Sequence, residues 1–209
     1  MRVNLKARAD TAERRRDKTR ARLIDAAMRV IAVKGPDAAS FGDFALEAGV
    51  SRGVFYNYFP DQTELVLAVW TKVWEQIDLE IIEVTTGVED PAEQIARACV
   101  RFLDEIATDP VRAWIWLRLD ATPALPPPQM VQHFTNFYIR GAAFGRFLPC
   151  DLSAALALTA GGMRMAARML LTGATHRKAA YETIKLILIG LGVEASEAAR
   201  LVPERPGPA

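Results

Sequence analysis

Residues 40–59 read SFGDFALEAGVSRGVFYNYF, and the fold turns on how this stretch is arranged. Ser40 has the chemistry of a helix N-cap. Asp43, three positions on, completes a short capping box, because the two side chains can satisfy free amides of the first turn. The helix predicted from this start ends at Ala48, and Gly49 takes the positive φ of a sharp turn at little cost. Ser51 caps a following helix that runs to about Tyr58, and Pro60 breaks it. Ala45 is small where two helices cross closely. Phe44, Val50 and Phe55 fall at the inward positions that hold the pair together. The pattern predicts a helix-turn-helix, a shape that other αα-hairpins also adopt.

Outward from this stretch, apolar residues recur at helical spacing and strand alternation is missing. Leu23, Ala27, Val30 and Ile31 form one stripe of a preceding helix that Gly35-Pro36 ends. The basic run from Arg14 to Arg22 reads as helical or frayed. Beyond Pro60, Asp61 or Thr63 opens a long helix lined by Val66, Trp70, Val73, Ile77 and Ile81. Asp90-Pro91 and Asp109-Pro110 each pair a capping acid with proline in the first helical position, where a missing amide costs nothing. Pro126-Pro127-Pro128 is a stiff connection. Met130, Phe134, Phe137, Gly141 and Phe144 make a further stripe, Pro149 ends it, and Asp151 or Ser153 opens the next helix. Ala154–Leu171 is apolar or small on most sides. Tyr181–Leu191 carries Ile184, Ile187, Leu188 and Leu191 on one side and Leu186 and Ile189 on another. A helix apolar around most of its circumference is buried on more than one side. No later element is expected to cover this one, so a second copy of the chain is the expected partner, with a central helix of a monomeric core as the alternative.

Charge is distributed unevenly. Residues 1–60 hold 12 Lys/Arg against 7 Asp/Glu, and residues 61–209 hold 14 against 18, in a chain of formal net charge +1. A basic head on an acidic body suits contact with a polyanion, or a solvated charged tail. The two cysteines, Cys99 and Cys150, have no metal-ligand spacing and imply no disulfide framework. The charged N-terminus is no secretory signal, and no apolar run is long enough to cross a bilayer. A cytoplasmic location is expected. His133 and His176 lack metal-ligand neighbours. No nucleophile elbow, phosphate loop or dinucleotide glycine motif appears, so no cofactor, no metal and no enzymatic activity are expected.

The sequence resembles the TetR family of bacterial transcriptional regulators. The matching residues are Ala39-Ser40-Phe41-Gly42-Asp43-Phe44-Ala45, Ala48-Gly49-Val50-Ser51, Val54-Phe55-Tyr56-Asn57-Tyr58-Phe59 and Glu64-Leu65, with Lys34-Gly35 ahead of them. The stretch Ile139-Arg140-Gly141-Ala142-Ala143-Phe144-Gly145-Arg146-Phe147 also fits. The specific match is confined to about residues 20–70. The resemblance implies an all-α fold. It implies a three-helix DNA-binding head with its basic arm over residues 1–60, and a helical effector-binding and dimerisation body over 61–209. It implies a homodimer built on the last two long helices. The expected dimer acts as a repressor that binds a near-palindromic double-stranded operator and is released by a small, mostly apolar organic effector.

Ser40, Ser51, Arg52, Gly53, Val54, Tyr56, Asn57, Tyr58 and Gln62 are the candidate DNA-binding residues. A recognition helix offers free amides and a positive dipole end to phosphates. Arg52 suits the O6 and N7 of guanine through its fork, or a simple phosphate grip. Tyr56 matches a family position that often contacts the backbone. Gln62 stands where the family usually has lysine. Arginines before Arg22, namely Arg14, Arg15, Arg16 and Arg20, are the expected compensation.

Trp70, Trp74, Trp114, Arg118, His133, Phe134, Phe137, Tyr138 and Met163 are the candidate effector-binding residues. An apolar pocket with a few polar anchors suits a small organic molecule, and plain core packing is the simpler account of each aromatic taken singly. Trp114 and Trp116 cannot both face one pocket from one helix. Arg118 pairs either an anionic ligand or Asp120. The competing reading is a helical small-molecule-binding protein without specific DNA recognition. An enzyme using Asp120 and His133 is a distant third.

Overall fold

The computed structural model describes residues 5–119 and 128–204. Among them the chain forms ten helices and no strand: α1 (Leu5–Lys34), α2 (Phe41–Ala48), α3 (Arg52–Tyr56), α4 (Gln62–Thr85), α5 (Pro91–Thr108), α6 (Pro110–Leu119), α7 (Pro128–Ala143), α8 (Leu152–Leu171), α9 (Arg177–Gly190) and α10 (Ala195–Leu201). The chain divides into two compact units, Met1–Lys72 and Val73–Ala209, with the division inside α4.

In the first unit α1 packs on α2, and α2 on α3. The core is a small apolar knot. Leu23, Ala27 and Ile31 of α1, Phe44 of α2, Phe55 of α3, Phe59 and Leu65 are all fully buried. Arg14–Arg22 continues α1 as regular helix rather than fraying. Salt bridges tie the surface of this knot: Lys34–Asp43, Arg29–Glu47 and Lys72–Asp25, each at 2.6 Å.

In the second unit both proline-led starts form as expected. The Asp90 carboxylate accepts the Ala92 amide at 3.1 Å, and Asp109 accepts that of Arg112 at 3.0 Å. Asp151 caps α8 through the Ser153 amide at 2.8 Å. The guanidinium of Arg146, between α7 and α8, donates to Asp90 at 2.7 Å and to Glu197 at 2.9 Å, pinning the start of α5 to α10. This holds the Asp90 carboxyl below the usual carboxylate range. Glu80, Arg101, Glu105, Asp109 and Arg112 form a second network across α4, α5 and α6.

Three expectations need correction. Phe144 leaves the α7 stripe and is 73% exposed, because α7 stops at Ala143 and Gly145 turns the chain at φ 68°. The helix predicted to end near Tyr58 ends at Tyr56, where the Tyr58 amide closes a tight turn on Phe55 O at 2.9 Å. A further helix, α10, follows α9 and packs on α5 and α9, burying Ala198 and Val202. It leaves Leu186 (66%) and Ile189 (40%) of α9 and Leu158 (42%) and Met165 (56%) of α8 exposed. The connection at 126–127, Asp120, and the side chains of Arg118 and Met130 lie outside the described residues.

Candidate nucleic-acid interface

The helix-turn-helix is assembled by local bonds. Ser40 accepts the Asp43 amide at 3.3 Å, and the Asp43 carboxylate accepts the Ser40 amide at 3.0 Å and its hydroxyl at 2.8 Å. Lys34 beside Asp43, and then Ser40, hold that carboxyl down to about 2. At the other end of α2, Gly49 sits at φ 63°, ψ 39°. Its amide donates to Leu46 O at 3.1 Å and that of Val50 to Ala45 O at 3.0 Å. This pair of bonds is a Schellman stop, which needs the left-handed residue that glycine supplies. The turn that aims α3 is therefore fixed by backbone bonds of α2.

The outer face of α3 is furnished with polar and small groups. Ser51, Arg52, Gly53, Tyr56 and Asn57 are exposed, and Val54 and Tyr58 are half-buried. Ser51 flanks α3 but its hydroxyl makes no capping bond to it. The Arg52 guanidinium folds back over Gly42, where a Cβ would stand 2.6 Å from Nη2. The Tyr56 ring stacks on Phe41 at 4.8 Å between centroids. Arg16 lies over the Tyr58 ring at 5.9 Å and Arg20 over that of Phe59 at 5.0 Å. These supports from Phe41, Gly42 and Arg16 are not visible in a linear reading, because each depends on where α1 and α2 cross α3.

Two of the candidate DNA-binding residues are committed internally. The Gln62 amide donates to Pro36 O at 2.7 Å and to Ala39 O at 2.9 Å. Its polar end therefore fastens the loop between α1 and α2 rather than facing outward. The Ser40 hydroxyl is engaged in the capping box, although the residue is exposed. Arg15, Arg16, Thr11, Ala12 and Thr19 of α1 meet Asn57 and Tyr58 around an open groove of about 690 Å³.

The effector candidates scatter. Trp70 is buried and belongs to the first unit. In the second, Trp74, Phe137, Tyr138 and Met163 are buried, and Trp114 and Phe134 are half-buried. Phe134 stacks on Tyr138 at 6.0 Å. The Tyr138 hydroxyl lies 3.0 Å from Leu148 O and 3.0 Å from Cys150 Sγ, so its polar end serves the chain just before α8. His133 Nε2 stands 3.0 Å from Asp78 Oδ1, a carboxylate neighbour remote in sequence. His176 caps α9, its Nδ1 accepting the Ala179 amide at 3.2 Å. Trp116 packs edge-on against Phe102 at 4.9 Å. Its indole N–H is buried without a hydrogen-bond partner, as is the Thr159 hydroxyl. Among the described residues no cluster of His, Cys, Asp and Glu is placed to hold a metal ion, and no helix is long and apolar enough to cross a membrane.

Residues 23–69 match the family of bacterial regulatory proteins described as the tetR family. The chain is 28% identical over 92 residues to the HTH-type transcriptional regulator AcrR of Shigella flexneri, covering 44% of this chain and 43% of that one. It is 31% identical over 98 residues to the HTH-type transcriptional regulator BetI of Brucella anthropi, covering 46% and 50%. The matches thus span half or less of these curated relatives. In structure it resembles RolR, crystallised with resorcinol, at 26% identity and a TM-score of 0.65 over 94% of this chain and 98% of that one. It also shares the fold of FadR from Bacillus subtilis in complex with stearoyl-CoA, with a TM-score of 0.72 at 17% identity over 84% and 98%.

Proposed function

We propose that this chain, whose residues 23–69 match the tetR family of bacterial regulatory proteins, works as a TetR-family ligand-released repressor, binding a near-palindromic operator as a homodimer. The observation that carries the DNA reading is the outer face of α3. Ser51, Arg52, Gly53, Tyr56 and Asn57 are exposed on a turn that the Gly49 stop holds rigid. Free amides at the start of α3 and the Arg52 fork suit phosphate and guanine. Phosphate contacts set the register and base contacts set the choice of sequence. In this reading Gln62 stands apart from the DNA contact, because its amide nitrogen donates to Pro36 O and Ala39 O.

The homodimer reading rests on α8 and α9. Leu158, Met165, Leu186 and Ile189 stay exposed in the single chain, on helices whose opposite sides are already buried. Pairing these faces between two copies removes them from water. Two heads then meet successive major grooves about 34–36 Å apart. An effector bound in the body releases DNA if it favours the state in which that spacing is lost. The effector we propose is small and mostly apolar, in keeping with the aromatic body. The unpartnered Trp116 N–H and Thr159 hydroxyl favour a ligand with polar substituents. The resorcinol of RolR, a ring with two hydroxyls, is a molecule of this kind.

Selection of bound duplexes from a random pool, repeated with and without small phenols, tests the whole reading. A near-palindromic consensus bound by a dimer is the expected result, with at least one phenol releasing it. Equal affinity for selected and scrambled duplexes refutes the regulator, and leaves a small-molecule-binding protein.

A further inference from the structure

Among its described side chains, the part of α1 before Leu23 has no burial that explains it. Residues 10–22 bury no side chain, and only Thr19 among them is half-buried; the core begins at Leu23. A helix gains most of its stability in water from packing an apolar face, and this stretch has none. It is strongly basic, with 8 Lys/Arg against 3 Asp/Glu over residues 5–22.

The charges are also sorted. Asp10, Glu13 and Asp17 stand at i, i+3 and i+7, the spacing of a single helix face at roughly 100° per residue. Glu13 and Asp17 are like charges at i, i+4, an arrangement that costs a helix a few tenths of a kcal/mol. A merely solvated helix is better served by mixing its signs. Here the acids gather on one face, and the opposite face carries Thr11, Ala12, Arg15, Arg16 and Thr19. Those five residues, with Asn57 and Tyr58 just beyond α3, line the groove of about 690 Å³.

The groove wall is made for an anion. It holds two guanidiniums, two threonines, an amide and a phenol, with Ala12 as its one aliphatic side chain. Arg16 is steadied over the Tyr58 ring at 5.9 Å. The groove begins where the exposed face of α3 ends, so a strand lying on α3 continues into it. We propose that the first half of α1 is a second DNA-binding element, whose Arg15 and Arg16 grip phosphates of the strand held by α3, with Asn57 and Tyr58 shared between the two contacts. This rests on the DNA-binding reading above, and extends the interface from one short helix to two.

The test compares two variants with the same loss of charge. Arg15→Gln/Arg16→Gln strips the groove, whereas Lys18→Gln/Arg22→Gln strips two exposed cations that do not line it. Binding is followed by anisotropy from 50 to 200 mM salt on a duplex without an operator, so that phosphate contacts are read even if no sequence is preferred. Each lost phosphate contact lowers the salt slope by about 0.9. The groove variant therefore loses roughly 1.8 per head, or about 3.6 for two heads. Its affinity deficit relative to the unmodified protein is then on the order of 150-fold larger at 50 mM than at 200 mM. The other variant keeps most of its slope, and circular dichroism shows both folded. Hydroxyl-radical footprinting on a bound duplex shows backbone protection lost only in the groove variant. Equal slope changes in the two variants, or none in either, overturn the proposal. A protein that binds all duplexes equally but shows the groove-specific slope refutes the sequence-specific regulator and leaves this contact standing. A protein that binds no duplex overturns both.

Discussion

Replacing Gln62 with alanine distinguishes a structural role from a DNA contact. The amide nitrogen donates to two backbone oxygens, Pro36 O at 2.7 Å and Ala39 O at 2.9 Å. A neutral hydrogen bond of this kind stabilises by about 1 kcal/mol net, so losing both costs about 2 kcal/mol. With 1.4 kcal/mol for each factor of ten, the open fraction of the first unit rises roughly 30-fold. Native-state amide exchange reads this directly. The α2 amides of Phe44 and Ala45 should lose about 30-fold protection where they exchange through opening of the unit, and amides of α8 and α9 should keep theirs. Gln62→Glu should be worse than alanine, because a carboxylate brings no donor to two facing carbonyls. Unchanged α2 protection in Gln62→Ala, together with a loss of DNA affinity, refutes the reasoning and returns Gln62 to the interface.

Two glycines should respond differently to alanine. At Gly49 nothing stands within 4 Å of a new Cβ, and the cost is the left-handed backbone alone, about 1 kcal/mol. At Gly141 the new Cβ falls 2.1 Å from the ring of buried Phe147, so the ring must move, at about 1–3 kcal/mol. Denaturant titration resolved by unit should show the smaller loss in the first unit and the larger in the second. Acid should act on the capping box with a definite sign. The Asp43 carboxyl is lowered from 3.8 to about 2, so its contribution is complete above the ordinary value and is lost as pH falls through about 2. Asp43→Asn should be less stable at neutral pH and should lack that part of the acid limb, as read by thermal unfolding from pH 6 to pH 2.

The parts of the fold legible in the sequence are those fixed within a few residues. Ser40 with Asp43, Gly49, Asp90-Pro91 and Asp109-Pro110 act through their own backbone neighbours, and each stands where local chemistry puts it. The parts that escaped depend on distant partners or lack a pattern. Helix α10 has seven residues and few buried apolar positions, too little for a periodic signal. The basic half of α1 has no apolar stripe to declare it helical. Phe144 keeps the right spacing but lies one residue past the end of α7, so periodicity alone misplaces it. His133 and Asp78 meet only because α4 and α7 bring them together.

The candidate interface divides along the same line, and the division bears on how the proposed contact would read DNA. Which residues of α3 face outward follows from helical spacing; what holds them in place does not. Helix α3 has only five residues, so few side chains can reach base edges from it. Tyr56 is stacked on Phe41, and Arg52 is packed over Gly42. Each rotamer-rich side chain immobilised on binding costs about 0.5–1.5 kcal/mol, and a side chain already held loses less. A short helix therefore compensates for its few contacts by fixing them beforehand. Its register along the duplex must then come from neighbouring phosphate contacts, which carry position but no sequence. If the proposed contact is right, Phe41 and Gly42 constrain operator choice through the Tyr56 and Arg52 side chains they support. Phe41→Ala should blur the selected consensus more than it lowers affinity for non-specific duplex, and selection from a random pool with the variant measures the two effects side by side.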